Sequence, residues 1–136
     1  MSDEEEAGEP LYLEFEDALE IYAAIIGGSY VQASDHLRSR EALAGALARP
    51  ANYARYQDAD LALQAAVLAH GIAETQPFVD GNKRTALVAM LTFLELNGFT
   101  VEATDRELAD WIIGYSDRVE PATVAKALRE RLRPLA

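Results

Sequence analysis

Between Gln76 and Ala86 the chain reads Gln76-Pro77-Phe78-Val79-Asp80-Gly81-Asn82-Lys83-Arg84-Thr85-Ala86, a combination of charges and turn residues suited to holding an anion. Proline and the turn dipeptide Asp80-Gly81, followed by an apolar run from Ala86, predict that a loop ends and a helix starts near Asn82. A helix start presents unpaired N–H groups and the positive end of the helix dipole, so basic side chains are disfavoured there. Lys83 and Arg84 fall in that first turn, an arrangement that makes sense if a phosphate-bearing ligand binds between them and the N–H groups. Asp80 supplies a carboxylate for a divalent cation such as magnesium, which prefers carboxylate and phosphate oxygens together. Gly81 lets the backbone approach the ligand. Turn and charges alone also fit an ordinary capped turn with two solvated cations; the complete motif weighs against that.

The run closely resembles the signature His-Pro-Phe-x-Asp-Gly-Asn-Lys-Arg of the Fic/Doc (Fido) family, in the form found in death-on-curing toxins. Further segments are similar to the family: Arg40 to Pro50 with its Leu-Ala-Arg-Pro ending, Leu68 to Ala73, and Thr92 to Gly98. The resemblance spans roughly Leu13 to the last helix. It implies an all-α, single-domain helical bundle over residues 11–136, with the motif loop between two central buried helices. It also implies a toxin of a bacterial toxin–antitoxin pair that uses ATP to phosphorylate a threonine of elongation factor Tu, and a small antitoxin protein that blocks the site. By position, Asp80 would bind Mg2+, and Asn82 with the amides around Gly81 would cradle phosphates. Lys83 and Arg84 would neutralise charge on the transferring group, and Phe78 would pack under the loop and fix its shape. Family members that transfer AMP usually carry Gly-Asn-Gly-Arg, whereas this chain has Gly81-Asn82-Lys83-Arg84. Lysine fills space that glycine would leave for a phosphate, which favours phosphate transfer over AMP transfer.

Two positions depart from the family. Gln76 stands where the resemblance places the catalytic histidine, and a neutral amide accepts no proton near pH 7. Loss of a positioned general base typically removes ~10²–10⁴-fold in rate, so the chain is expected to be impaired in turnover. Two readings stay open: a base replaced so that the activity is silenced, or a pseudoenzyme that keeps the cradle for binding. Glu74 occupies a place where many relatives carry a basic residue; its carboxylate either repels phosphate or faces solvent. His70, six residues before Gln76, is predicted on a different helical face and reads as a packed histidine. His36 has no partner pattern, and neither histidine has the spacing of a zinc ligand.

The elements that must hold this loop are helical. Phe15, Ala18, Leu19, Tyr22, Ile25 and Ile26 recur at spacings of three and four, and Gly27-Gly28 ends that pattern. A loop is expected from Ser29 to Asp35. A shorter helix follows from Arg40 to Ala48, with Leu43 and Leu47 inward and Pro50 as its stop, and Pro50 to Tyr56 reads as irregular or a small extended flap. The segments Leu61 to Ile72 and Ala86 to Leu96 are apolar nearly all round, as buried helices are, and would support the loop rigidly. Asn97-Gly98 gives a helix stop and Phe99 to Ala103 a brief extended stretch. Thr104 and Glu107 form a capping-box pair; Leu108, Trp111, Ile112 and Tyr115 mark one helical face, with Trp111 as a core anchor. Pro121 suits a first helical position, and Val124, Leu128 and Leu132 trace the last helix.

Composition narrows the function classes. The chain has 136 residues, half of them apolar, which suits one globular domain. No run approaches ~18 apolar residues and the start is acidic, so neither a membrane span nor a secretory signal is expected. Without cysteine there is no disulfide framework or thiolate metal site, and the economical location is the cytoplasm. The net charge is −11, with Asp3, Glu4, Glu5, Glu6 and Glu9 clustered at the start; residues 1–10 read as a solvated, disordered tail. Such an acidic surface disfavours direct nucleic-acid or anionic membrane contact and favours a partner with a basic patch.

Overall fold

Reciprocal caps written in the sequence start several of the helices. In the computed structural model, which describes residues 9–116 and 118–135, the Glu14 N–H donates to Asp17 Oδ2 at 2.8 Å and opens α1 (Phe15–Ile26), which Gly27 ends with a left-handed φ of 67°. The loop expected from Ser29 to Asp35 is instead a short helix, α2 (Tyr30–Asp35). Its cause is a Ser-x-x-Gln capping box: the Gln32 N–H donates to Ser29 Oγ, and the Ser29 N–H donates to Gln32 Oε1 at 2.7 Å. The acidic tail expected over residues 1–10 lies, for residues 1–8, outside the described residues.

A single helix, α3 (Arg40–Gln57), runs straight through Pro50, so neither the stop at Pro50 nor the irregular segment to Tyr56 exists. Proline inside a helix forfeits a hydrogen bond and costs ~3 kcal/mol. Here Pro50 is buried, and α3 makes its main packing against α4 (Leu61–Thr75). The two backbones approach closely at Gly71, where an added Cβ would lie 3.0 Å from Ala46 Cβ. Packing of α3 against α4 outweighs the local penalty. Leu43 is fully buried and Leu47 partly so, as their spacing predicts.

Asp60 caps α4 through Oδ1, which accepts from the Leu63 N–H at 2.9 Å. It also ties the helix to α7 (Pro121–Arg131) through a two-point pair with Arg129, at 2.6 and 3.2 Å. The apolar α4 and α5 (Asn82–Leu96) are the central supports of an all-α domain. The main core gathers Ile72, Met90, Phe93, Leu94, Ile112 and Leu128, with Trp111 packed partly buried against it; the side chain of Tyr115 lies outside the described set. A smaller core of Leu19, Tyr22, Leu43 and Phe78 sits beneath the motif loop. No helix among the described residues is long and apolar enough to cross a membrane.

Beyond α5, strand β1 (Phe99–Val101) realises the extended stretch. Helix α6 (Asp105–Ser116) starts from the expected box: the Glu107 N–H donates to Thr104 Oγ1 at 3.1 Å, and the Thr104 N–H donates to Glu107 Oε1 at 3.2 Å. Pro121 opens α7. Leu132, expected on that helix, has already left it: β2 (Leu132–Pro134) pairs antiparallel with β1, setting Leu132 opposite Val101. Pro134 disfavours helical backbone in the residue before it, and the exposed edge of β1 offers the alternative.

Candidate functional site

The motif loop is a braced turn between the two central helices. Gln76 ends α4 in a left-handed conformation, φ 49°, with its N–H donating to Ile72 O at 3.1 Å. From there the chain runs antiparallel to residues 36–39. The Arg38 N–H donates to Pro77 O at 2.7 Å, the Val79 N–H donates to His36 O at 2.9 Å, and Leu37 bridges Phe78.

Asn82 closes the turn. Its Oδ1 accepts from the Phe78 N–H and its Nδ2 donates to Phe78 O, both at 2.9 Å. The side chain is buried and braces the loop with one bond in each direction, leaving one Nδ2–H outside this pair. The Phe78 ring is wholly buried and lies flat on Tyr22, with centroids 3.8 Å apart and planes 3° from parallel.

Helix α5 begins at Gly81, whose φ of 72° is left-handed, with no side-chain cap and no acidic residue in the first turn. An L-residue would be strained there, and the Tyr22 ring stands 3.6 Å from where a Cβ would sit. Lys83 and Arg84 are both exposed in this turn. The helix start thus combines open backbone N–H groups, the positive dipole end and two cations, a concentration of positive charge that suits a phosphate chain.

Asp80 is exposed at the lip of the turn, held by a residue the motif does not contain. The Tyr22 hydroxyl lies 3.2 Å from both Asp80 Oδ1 and Asp80 O, and 3.3 Å from His36 Nδ1. Burial, reinforced by the neighbouring Asp80 carboxylate, pushes the Tyr22 hydroxyl above its ordinary pKa. His36 is therefore not without a partner, as the sequence suggested. It meets Tyr22 only because the segment after α2 folds against the motif loop, and periodicity marked Tyr22 as core without showing what its hydroxyl touches.

Gln76 is exposed and faces a cleft of about 570 Å³ lined also by His70, Glu74, Arg118 and Glu120. The left-handed turn at Gln76 swings the chain off the helical path, which is why His70 and Gln76 share this cleft despite their helical spacing. Glu74 pairs with His70, Oε2 to Nε2 at 3.0 Å, and Arg49 Nη1 stands 3.3 Å from His70 Nδ1. The exposed Glu74 carboxylate therefore lies against the His70 ring at the edge of this cleft. Arg84 also borders a groove of about 580 Å³ between α1 and α5, which Asp17 and Glu20 help to line.

Residues 12–94 match the model of the Fic/DOC family. Over 94 residues the chain is 37% identical to Toxin Doc of Mycolicibacterium smegmatis, an alignment covering 68% of each protein.

Proposed function

The chain belongs to the Fic/DOC family, and on that premise we propose that it is a toxin of the toxin–antitoxin type, built to transfer the terminal phosphate of ATP to a threonine hydroxyl of elongation factor Tu. The observation that carries this reading is the start of α5, where two exposed cations share a first turn with uncapped N–H groups behind a stapled loop. In the transfer, the bond from the γ-phosphorus to the bridging oxygen of ADP breaks as the threonine oxygen bonds to that phosphorus, and the hydroxyl proton passes to solvent water in this chain, or to the imidazole in Gln76→His. The protein's share is positioning and charge neutralisation. Amides near Gly81 hold the phosphates, and Lys83 and Arg84 offset the growing negative charge.

Asp80 is the loop carboxylate that would hold Mg2+. A single exposed carboxylate fits that ion, which is commonly bound by one or two carboxylates together with substrate phosphates and water. When bound, the ion supplies further neutralisation of the phosphates. Gln76 stands where the proton acceptor belongs and can hydrogen-bond the hydroxyl, but it cannot take the proton, so binding survives better than turnover. Lys83, where AMP-transferring relatives carry glycine, favours phosphate transfer over AMP transfer. A small antitoxin protein is the expected partner, and the cytoplasm the place of action.

The test is Gln76→His incubated with elongation factor Tu and ATP labelled at the α- or γ-phosphate. Label from the γ-position supports the reading, and label from the α-position supports AMP transfer instead. If Gln76→His labels no protein and harms no cells, the enzyme reading fails.

A further inference from the structure

Two side chains outside the motif converge on its carboxylate. Tyr22 comes from the buried face of α1 and is fully buried, while His36 follows α2 and is half-buried. Phenylalanine would fill the Tyr22 position and stack on Phe78 equally well, so the hydroxyl adds connection rather than volume. It reaches Asp80 Oδ1, Asp80 O and His36 Nδ1 at 3.2, 3.2 and 3.3 Å.

A phenolic hydroxyl carries one proton and can also accept. Donated toward Asp80, the one proton is shared between Oδ1 and the carbonyl oxygen, and the hydroxyl oxygen is free to accept from an Nδ1–H of His36. Donated to His36, it would leave the oxygen's lone pairs facing two acceptor oxygens. The first arrangement assigns His36 the Nδ1–H tautomer. The backbone of His36 is itself pinned, since its carbonyl accepts from the Val79 N–H at 2.9 Å. Asp80 therefore ends a chain anchored in two separate elements, with Oδ1 engaged while Oδ2 takes no part in it.

We infer that Tyr22 and His36 are positioning residues that hold the Asp80 carboxylate in one orientation, with Oδ2 presented for the divalent cation that accompanies the nucleotide. The inference rests on the reading of Asp80 as the cation-holding residue. An unrestrained surface aspartate loses rotamer freedom when it binds a metal, and prior restraint removes part of that loss. In this role both residues act through Asp80.

The experiment compares binding of Mn2+·ATP by the full chain and by Tyr22→Phe, His36→Ala, His36→Asn and Asp80→Asn, with calorimetry for affinity and the Mn2+ EPR spectrum for coordination. Tyr22→Phe and His36→Ala are expected to bind about three- to tenfold more weakly, the worth of one ordinary hydrogen bond, and to alter the EPR line shape. His36→Asn is expected to retain affinity, because its amide nitrogen can donate in place of Nδ1. The His36 pair reads the same chain from a half-buried position should Tyr22→Phe fail to fold. Binding lost in Asp80→Asn but unchanged in Tyr22→Phe and His36→Ala overturns the positioning role alone. Binding as tight in Asp80→Asn as in the unaltered chain overturns the cation assignment and the inference with it.

Discussion

Asn82 and Phe78 are locked to each other by one hydrogen bond in each direction, both 2.9 Å, across the turn that carries Asp80 and Gly81. The asparagine thus fixes the shape of the loop from within it.

Asn82→Ala strands a buried N–H and a buried carbonyl on Phe78, and should lower unfolding stability by about 2 kcal/mol, since an unsatisfied buried polar group costs ~1–3 kcal/mol. Asn82→Asp keeps the acceptor for the Phe78 N–H but turns a carboxylate oxygen toward the Phe78 carbonyl, so it should be at least as destabilising as Asn82→Ala. Urea melts of the three proteins would show this order. Equal stabilities would mean that the pair does not hold the turn.

Lys83→Ala should move stability and binding in opposite directions. Removing a cation from a helix start relieves an unfavourable dipole interaction of ~0.3–1 kcal/mol, so the melting temperature should hold or rise. ATP affinity should fall, as a phosphate partner is gone. A calorimetric titration beside a thermal melt decides it, and unchanged ATP affinity would reduce Lys83 to a solvated charge.

Stability at acid pH should depend on Glu107. Arg131, 2.6 Å from Oε2, and the Thr104 N–H hold its carboxyl at about 2, below its ordinary 4.5. A depressed folded pKa stabilises the fold above the ordinary value, and that contribution is lost as pH falls from 4.5 toward 2. Asp60 is lowered in the same sense by Arg129. Melting temperatures of Glu107→Gln should therefore decline less steeply over this window, and parallel curves for the two proteins would count against the pairing.

At Gly71 an intrinsically helix-favouring change should destabilise. Alanine gains ~1 kcal/mol in helix propensity, but its Cβ would meet Ala46 Cβ at 3.0 Å, Arg49 Cδ at 3.1 Å and Ala46 Cα at 3.2 Å. Overpacking costs ~1–3 kcal/mol, so Gly71→Ala should lose about 1 kcal/mol net. A gain in the melting temperature would show that α3 and α4 can part without cost.

Features governed by neighbours in sequence were legible from the chain alone. The start of α5 after Asp80-Gly81, the Thr104–Glu107 box and Pro121 at a helix start each depend on a few adjacent residues. The continuation of α3 through Pro50 was not legible, because it depends on α4 packing alongside. Leu132 joined a helical stripe on spacing, yet a strand more than thirty residues earlier claims it. At the site, the motif residues could be named from their order. Tyr22 and His36 could not be tied to Asp80, since 58 residues separate Tyr22 from Asp80 and nothing in either one's own neighbourhood points across that gap.

The stack of Phe78 on Tyr22 has a thermodynamic consequence. It makes the motif loop a structural member of the smaller core shared by α1, α2 and α3. Anything that grips the loop in its folded form, nucleotide or protein, must therefore also secure those three helices, because a ligand confined to the native state stabilises whatever that state holds together. Occupancy at Asp80 and Gly81 would thus be felt as slower opening and lower protease sensitivity around residues 28–40, and mutations that loosen Leu19 or Leu43 would be paid back as weaker nucleotide binding.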